Sequence, residues 1–177
     1  MTDRDIFYRI KELLDAARLG ISEEQWQSFC SAMEKRLQPM EEEVFVFNID
    51  GGSKGNPGPA GIGIVISNAD GEVLEEHYEY IGEQTNNVAE YRALLAALKI
   101  ASAQKYRHIV IKTDSELLAL QVNGEYQVKN KQLLPLYFSV ADAKTGFQSF
   151  VIENIPRSEN QRADRLANLA ISREMMS

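Results

Sequence analysis

Four acidic residues stand out by where they fall: Asp50, Glu90, Asp114 and Asp164. Asp50 closes the mostly apolar run VFVFNID, and Asp114 follows the apolar run IVIKT. Glu90 shares a helical stripe with Leu94, Ala97 and Ala101. Asp164 falls in the first turn of a C-terminal helical segment. Hard divalent cations want oxygen ligands, and magnesium is commonly held by a few carboxylates plus substrate phosphate. Two such ions roughly 4 Å apart can activate a water and stabilise the leaving oxygen of an in-line phosphodiester cleavage. Singly, each acid also has an ordinary structural reading. Asp50 can be a strand end meeting solvent, and Glu90 can pair with Arg92 or Lys112 at the edge of a buried face. Asp114 can be the N-cap of the next helix, and Asp164 can complement a helix dipole. The chemistry rests on the set of four.

Beside Asp50 runs GGSKGNPG, four glycines and a proline in eight residues. Glycine permits positive φ and close approach of a ligand to the backbone; a tight hairpin would need no more than this. The elements that must position the acids read from the periodicity. Residues 44–51, 62–67 and 72–81 are predicted strands, with turns at 55–61 and at Asn68-Ala69-Asp70-Gly71, which suggests an antiparallel meander. A helix over 87–104 follows, then a strand at 108–113, helices at 115–123 and 132–144, a strand at 147–155 and a last helix at 160–173. Strands alternating with helices imply parallel pairing. The expected fold is α/β: a mixed five-stranded sheet, three antiparallel strands then two parallel, flanked by helices.

Ahead of this, residues 1–41 form a separate extension and residues 42–177 the catalytic domain. Residues 5–19 carry Ile6, Ile10, Leu13, Leu14 and Ala17 at helical spacing, and Gly20 is placed to end that helix. Ser22 and Gln25 form a capping box for a second helix. Trp26, Phe29, Cys30, Met33 and Leu37 share its stripe, Pro39 ends it, and Glu41-Glu42-Glu43 is a solvated linker. The result is an N-terminal helical hairpin whose apolar stripe is expected to dock on the catalytic domain or on a second copy of the chain.

The bulk composition adds bounds. The 177 residues suit one domain plus an extension, with enough apolar material for a core. The net charge of −7 runs against the basic face usual in nucleic-acid binders. Net charge does not report distribution, however, and bound cations would neutralise part of an acid cluster. The single cysteine, Cys30, excludes a disulfide within the chain. No secretory signal and no apolar run of membrane-spanning length is visible, so a cytoplasmic setting and no membrane partner are expected.

Four ordered segments resemble the type 1 ribonuclease H family. They are IDGGSKGNPGPAG from Ile49, TNNVAEYRAL from Thr85, Thr113-Asp114-Ser115, and RSENQRADRLA from Arg157. The order and spacing agree from Val44 to about Ile171. The resemblance implies the ribonuclease H-like fold and hydrolysis of the RNA strand of RNA–DNA hybrids, leaving 5′-phosphate and 3′-hydroxyl ends. It implies two Mg2+ ions, with Mn2+ able to substitute, on Asp50, Glu90, Asp114 and Asp164. It also implies that Gly51, Gly52, Ser53, Asn56, Asn86 and Asn87 contact the hybrid in its minor groove, where 2′-hydroxyls can be read. Thr85 would hold a phosphate of the DNA strand.

The chain departs from the pattern in three places. Many members carry a catalytic histidine shortly before the fourth acid; here only His77 and His108 exist, neither near Asp164 in sequence. The loop is shortened to Ile155-Pro156-Arg157, which resembles an archaeal-like branch, so Arg157 is a candidate for phosphate contact or product release and equally an ordinary surface arginine. The family's basic protrusion is missing, replaced by GEYQVKNK from Gly124, in which Lys129 and Lys131 are candidate phosphate contacts or solvated loop lysines. The N-terminal helices do not resemble the hybrid-binding module of some relatives; they are expected instead to dock on the catalytic domain or to form a homodimer with a second copy. Two alternatives share the fold: a non-catalytic duplex binder, and a nuclease with another substrate.

Overall fold

The structure is a computed structural model, and it describes residues 3–14, 20–37 and 43–176. The chain divides into two compact units, Met1–Glu42 and Glu43–Ser177.

The first unit contains α1 (Asp3–Leu13) and α2 (Glu23–Leu37). Gly20 takes a positive φ of 67° in the connection, a conformation that glycine adopts without penalty. The capping box forms as expected: Gln25 N donates to Ser22 Oγ at 3.2 Å, and Ser22 N donates to Gln25 Oε1 at 2.9 Å. Phe7, Trp26 and Cys30 are buried together, with Leu14 and Met33 against them. The expected stripes need correction. Ile6 and Ile10 are 39% and 46% exposed, because the helix turns Phe7 and Leu14 inward. Phe29 stacks on Trp26 but stays 52% exposed. A two-helix unit has one contact face, so it cannot bury both stripes in full. The expectations for residues 15–19 and for Pro39, Glu41 and Glu42 lie outside the described residues.

The second unit begins with β1 (Val44–Ser53), β2 (Gly58–Ser67) and β3 (Val73–Gln84), followed by α3 (Asn86–Ala103) and β4 (His108–Thr113). It continues with α4 (Glu116–Val122), α5 (Leu134–Ala143), β5 (Ser149–Asn154) and α6 (Gln161–Glu174). The sheet order is β3-β2-β1-β4-β5. β1 pairs antiparallel with β2 and parallel with β4, β2 pairs antiparallel with β3, and β4 pairs parallel with β5. This is the expected mixed five-stranded sheet.

Strand alternation divides the side chains between two faces. Phe45, Phe47 and Ile49 of β1, Ile62, Ile64 and Ile66 of β2, and Ile109 and Ile111 of β4 enter one core with Tyr91, Leu94 and Leu98 of α3 and Val140 of α5. Each such side chain, fully buried, contributes about 1.5–3 kcal/mol of transfer free energy. On the opposite face α6 covers β2 and its neighbours, and Val65, Ala163 and Leu166 form a smaller cluster there.

Several element bounds differ from expectation. β2 starts at Gly58 rather than 62, because Gly58 and Pro59 already pair with Gln84 and Glu83. α5 starts at Leu134 rather than 132: Asn130 accepts from Gln132 N at 2.8 Å in a preceding turn, and the helix then begins with Pro135 in its first turn. β5 is trimmed to 149–154 by a 3-10 turn, Lys144–Gly146. No helix of the described residues is long and apolar enough to cross a membrane.

Candidate active site

β1 and β4 run parallel, so their carboxyl ends lie side by side and bring Asp50 and the residue after β4, Asp114, to the same edge. Asp50 occupies the strand face shared by Val44, Val46 and Asn48, opposite Gly63 of β2. Two helices then press on this spot from opposite faces. A Cβ at Gly51 would overlap the Ala89 carbonyl and Glu90 N of α3; one at Gly63 would overlap the Ala163 carbonyl and Ala167 N of α6. The two glycines therefore let helix backbones approach β1 and β2 more closely than any side chain would allow. Glu90 and Asp164, each one residue beyond the alanine in contact, arrive beside Asp50 by this route.

The result is a cleft of about 260 Å3 lined by Asp50, Gly51, Gly52, Ser53, Asn86, Glu90, Asp114, Ser115, Arg157, Asp164, Asn168 and Ile171. All four acids lie here, with Gly51, Gly52, Ser53, Asn86 and Arg157 of the other expected residues. Asn56 adjoins the cleft, its Oδ1 accepting from Asn86 N at 3.1 Å. Thr85 lies apart, in a groove of about 590 Å3 with Pro57, Val88, Arg92 and Pro135. Asn87 and Lys129 line neither; Lys129 and Lys131 are exposed on the loop before α5.

Each acid has named partners. Ser115 donates to Glu90 Oε2, and Asn86 Nδ2 donates to Glu90 Oε1 at 2.9 Å; the alternative of a pairing with Arg92 or Lys112 is not what the structure shows. Asp114 does not cap the next helix. Ser115 is the N-cap of α4, accepting from Leu118 N at 3.3 Å, which leaves the Asp114 carboxylate free to face the cleft. Asn160 Nδ2 donates to Asp114 Oδ1 at 2.8 Å. Arg157, in the 3-10 turn before α6, donates to Asp164 Oδ1 at 3.0 Å, and Asn168 Nδ2 donates to Asp164 Oδ2 at 3.3 Å. Ser115, Asn160, Asn168 and Gly63 were not singled out from sequence. Gly63 had a signal in the Gly-x-Gly spacing of β2, and Asn160 lay within the fourth motif.

The charge is only partly balanced. Burial, then the Asp114 and Asp164 carboxylates, raises Asp50 from 3.8 to about 6 against the opposing pull of Arg157 and the Gly51 N–H. Burial also raises Glu90 from 4.5 to about 7, with Asp50 and Asp114 adding to it and the Ser115 and Asn86 bonds opposing it. Arg157, held above its usual value by Asp164, is exposed. Hard oxygen donors with unmet negative charge suit a divalent cation. Among the described residues no three His, Cys, Asp or Glu side chains close into a cage. An open carboxylate cleft fits magnesium, which keeps waters and substrate phosphate among its ligands.

Sheet order, strand directions and helix placement define a ribonuclease H-like α/β domain. A family model described as reverse transcriptase-like matches residues 48–170. The bifunctional protein Rv2228c of Mycobacterium tuberculosis is 44% identical over 127 residues, 71% of this chain and 35% of that protein. Ribonuclease HI of Halobacterium salinarum is 40% identical over 122 residues, 69% of this chain and 61% of that one. The chain thus spans between about a third and three fifths of these curated relatives. The solved structure of LC11-RNase H1 in complex with an RNA/DNA hybrid is 41% identical with a TM-score of 0.71, covering 74% of this chain and 99% of that chain. The chain belongs to the type 1 ribonuclease H family of hydrolytic nucleases.

Proposed function

We propose that the protein is an endonuclease that hydrolyses the RNA strand of RNA–DNA hybrids, leaving 5′-phosphate and 3′-hydroxyl ends. One observation carries this reading: four carboxylates from four separate elements line a single cleft, with Arg157 the one cationic side chain among the lining residues. Asp50, Glu90, Asp114 and Asp164 would hold two Mg2+ ions, or Mn2+ in their place. Bound there, such ions supply an activated water and stabilise the leaving oxygen. Asp50 and Glu90 must give up their protons to serve. Asn86 and Ser115 hold the Glu90 carboxylate by both oxygens, and Asn160 holds that of Asp114.

Substrate placement falls to the rim. Gly51, Gly52, Ser53, Asn56, Asn86 and Asn87 would meet the hybrid minor groove, where the 2′-hydroxyl separates RNA from DNA. Thr85 would meet a phosphate of the DNA strand beside the cleft. Such polar contacts position a duplex without reading its sequence. Arg157 would contact phosphate, and Lys129 would add a weaker charge contact. The complex of LC11-RNase H1 with an RNA/DNA hybrid supports hybrid as the substrate class. A cytoplasmic location belongs to the same proposal.

The test is cleavage of a labelled hybrid with Mg2+ or Mn2+, with the 3′ ends of the products assayed for extension by a polymerase. Wild-type protein that never cuts, or products that cannot be extended, would remove the corresponding part of the reading. A second copy is the proposed partner of the N-terminal unit, because Ile6, Ile10 and Phe29 leave apolar surface uncovered there. Sedimentation of the full chain against residues 43–177 checks this; identical monomeric behaviour rejects it.

A further inference from the structure

We infer that Asn160 is a positioning residue that sets the Asp114 carboxylate against the end of the strand carrying Asp50; the inference rests on the hydrolytic reading above. Asn160 is 1% exposed. Burying an amide is costly unless its groups are paired. Here both donor bonds and the acceptor are used: Nδ2 donates to the Ile49 carbonyl at 2.8 Å and to Asp114 Oδ1 at 2.8 Å, while Oδ1 accepts from Asn48 Nδ2 at 3.2 Å. The residue's own carbonyl accepts from Asp164 N at 3.1 Å. One residue is thus bonded to the peptide preceding Asp50, to the Asp114 side chain and to the main chain of Asp164.

Its position in the chain points the same way. Asn160 occupies the N-cap of α6, where asparagine is among the favoured residues because its side chain can accept from the first turn. It makes no such bond. The side chain turns inward to β1 and Asp114 instead, forgoing the cap at the start of the helix that carries Asp164. A residue serving only to begin α6 would cap it; a residue serving only to fill space would not need an amide. The side chain ties the end of β1 to the Asp114 carboxylate, and it begins the helix that carries Asp164 without taking a place of its own in the cleft lining.

The experiment compares wild type with Asn160→Ala and Asn160→Asp, and with Val140→Ala, a buried change in the core on the other face of the sheet. Three quantities are read: kcat and KM on a hybrid, Mn2+ affinity by calorimetry without nucleic acid, and Tm. Loss of an orienting partner behind a metal ligand is expected to cost roughly tenfold in metal affinity or activity. Asn160→Ala should therefore bind Mn2+ roughly tenfold more weakly and lose kcat to a similar degree. KM should stay within about twofold, because the side chain touches no substrate. Val140→Ala should lower Tm while keeping both Mn2+ affinity and kcat. If Asn160→Ala does not fold, Asn160→Asp keeps the shape, removes the amide donors, and should show the same losses. Wild-type Mn2+ affinity in the folded Asn160 variants overturns the inference, as does an equal loss in Val140→Ala at matched Tm. If wild type fails to cut hybrid, the hydrolytic reading falls, while the Mn2+ comparison still decides the role of Asn160.

Discussion

The cleft has two halves that are built differently. On the α3 side, Asp50 and Glu90 are pushed up to about 6 and about 7, chiefly by burial. On the α6 side, Asp114 and Asp164 take donors from Asn160, Arg157 and Asn168. Close backbone packing at Gly51 and at Gly63 delivers both helices; the halves differ in that burial outweighs the Asn86 and Ser115 bonds to Glu90 in the first, while hydrogen bonds converge on the start of α6 in the second. The contrast assigns separate tasks: the packed half creates the electrostatic demand for a cation, and the bonded half fixes where the remaining ligands stand. A site that met all its charges internally would be more stable and would have no use for a metal.

The largest expected effect comes from removing that demand. Asp50→Asn should cut hybrid cleavage by about 10³-fold or more, in the range seen when a main electrostatic contact is lost. At pH 7–8 without metal, the same variant should be more stable than wild type by about 1–2 kcal/mol, a figure reduced from the full linkage value because the group is partly solvated. Cleavage rates and denaturant unfolding of the two proteins check both halves of the statement. A loss of stability would mean that Asp50 is a structural acid.

Next is the packing that delivers the helices. Gly63→Ala should cost about 1–3 kcal/mol through overpacking against α6. It should also lower kcat more than KM, since Asp164 is displaced from Asp50. Thermal melts with kinetics test this, and wild-type behaviour in both would show that α6 does not press on β2 as described.

The pH dependence follows from the same two acids. Their folded values lie above the ordinary 3.8 and 4.5, so the folded state holds more protons than the unfolded chain between about pH 4 and pH 7. Stability from these groups is therefore full below pH 4 and declines as pH rises through 6 and 7. Metal-free unfolding across this window should show the decline, and Asp50→Asn should flatten part of it. Activity should run the other way, rising as the acids ionise and can bind a cation. The smallest effect is expected at the rim. Arg157→Ala should reduce kcat by about three- to tenfold with unchanged Tm, and Lys129→Ala by under about twofold, both more visible at low salt. Equal effects would erase the distinction drawn between the two cations.

Much of this was legible in the sequence. Hydrophobic periodicity placed the acids at strand ends and helix starts, and the resemblance to type 1 ribonuclease H singled them out as a set. The mixed sheet followed from a meander succeeded by alternating strands and helices; the pairing of β4 with β1, which brings Asp50 and Asp114 together, did not. The hydrogen bonds that orient the acids were not legible. Asn160 reaches residues 46 and 111 positions away, and nothing local records those bonds. Ser115 and Asp114 are both competent caps; the choice between them is made in three dimensions, where Ser115 serves α4 and also meets Glu90. The same limit explains α1, whose expected stripe left out Phe7, the residue buried with Trp26 and Cys30 of α2.

The most direct test of the account is crystallographic. A crystal of the Asp164→Asn variant with an RNA–DNA hybrid and Mn2+ should give anomalous peaks inside the cleft, about 4 Å apart and beside Asp50. Anomalous density confined to other parts of the surface, with hybrid bound and the cleft free of manganese, would contradict the claim that these four carboxylates exist to hold divalent cations.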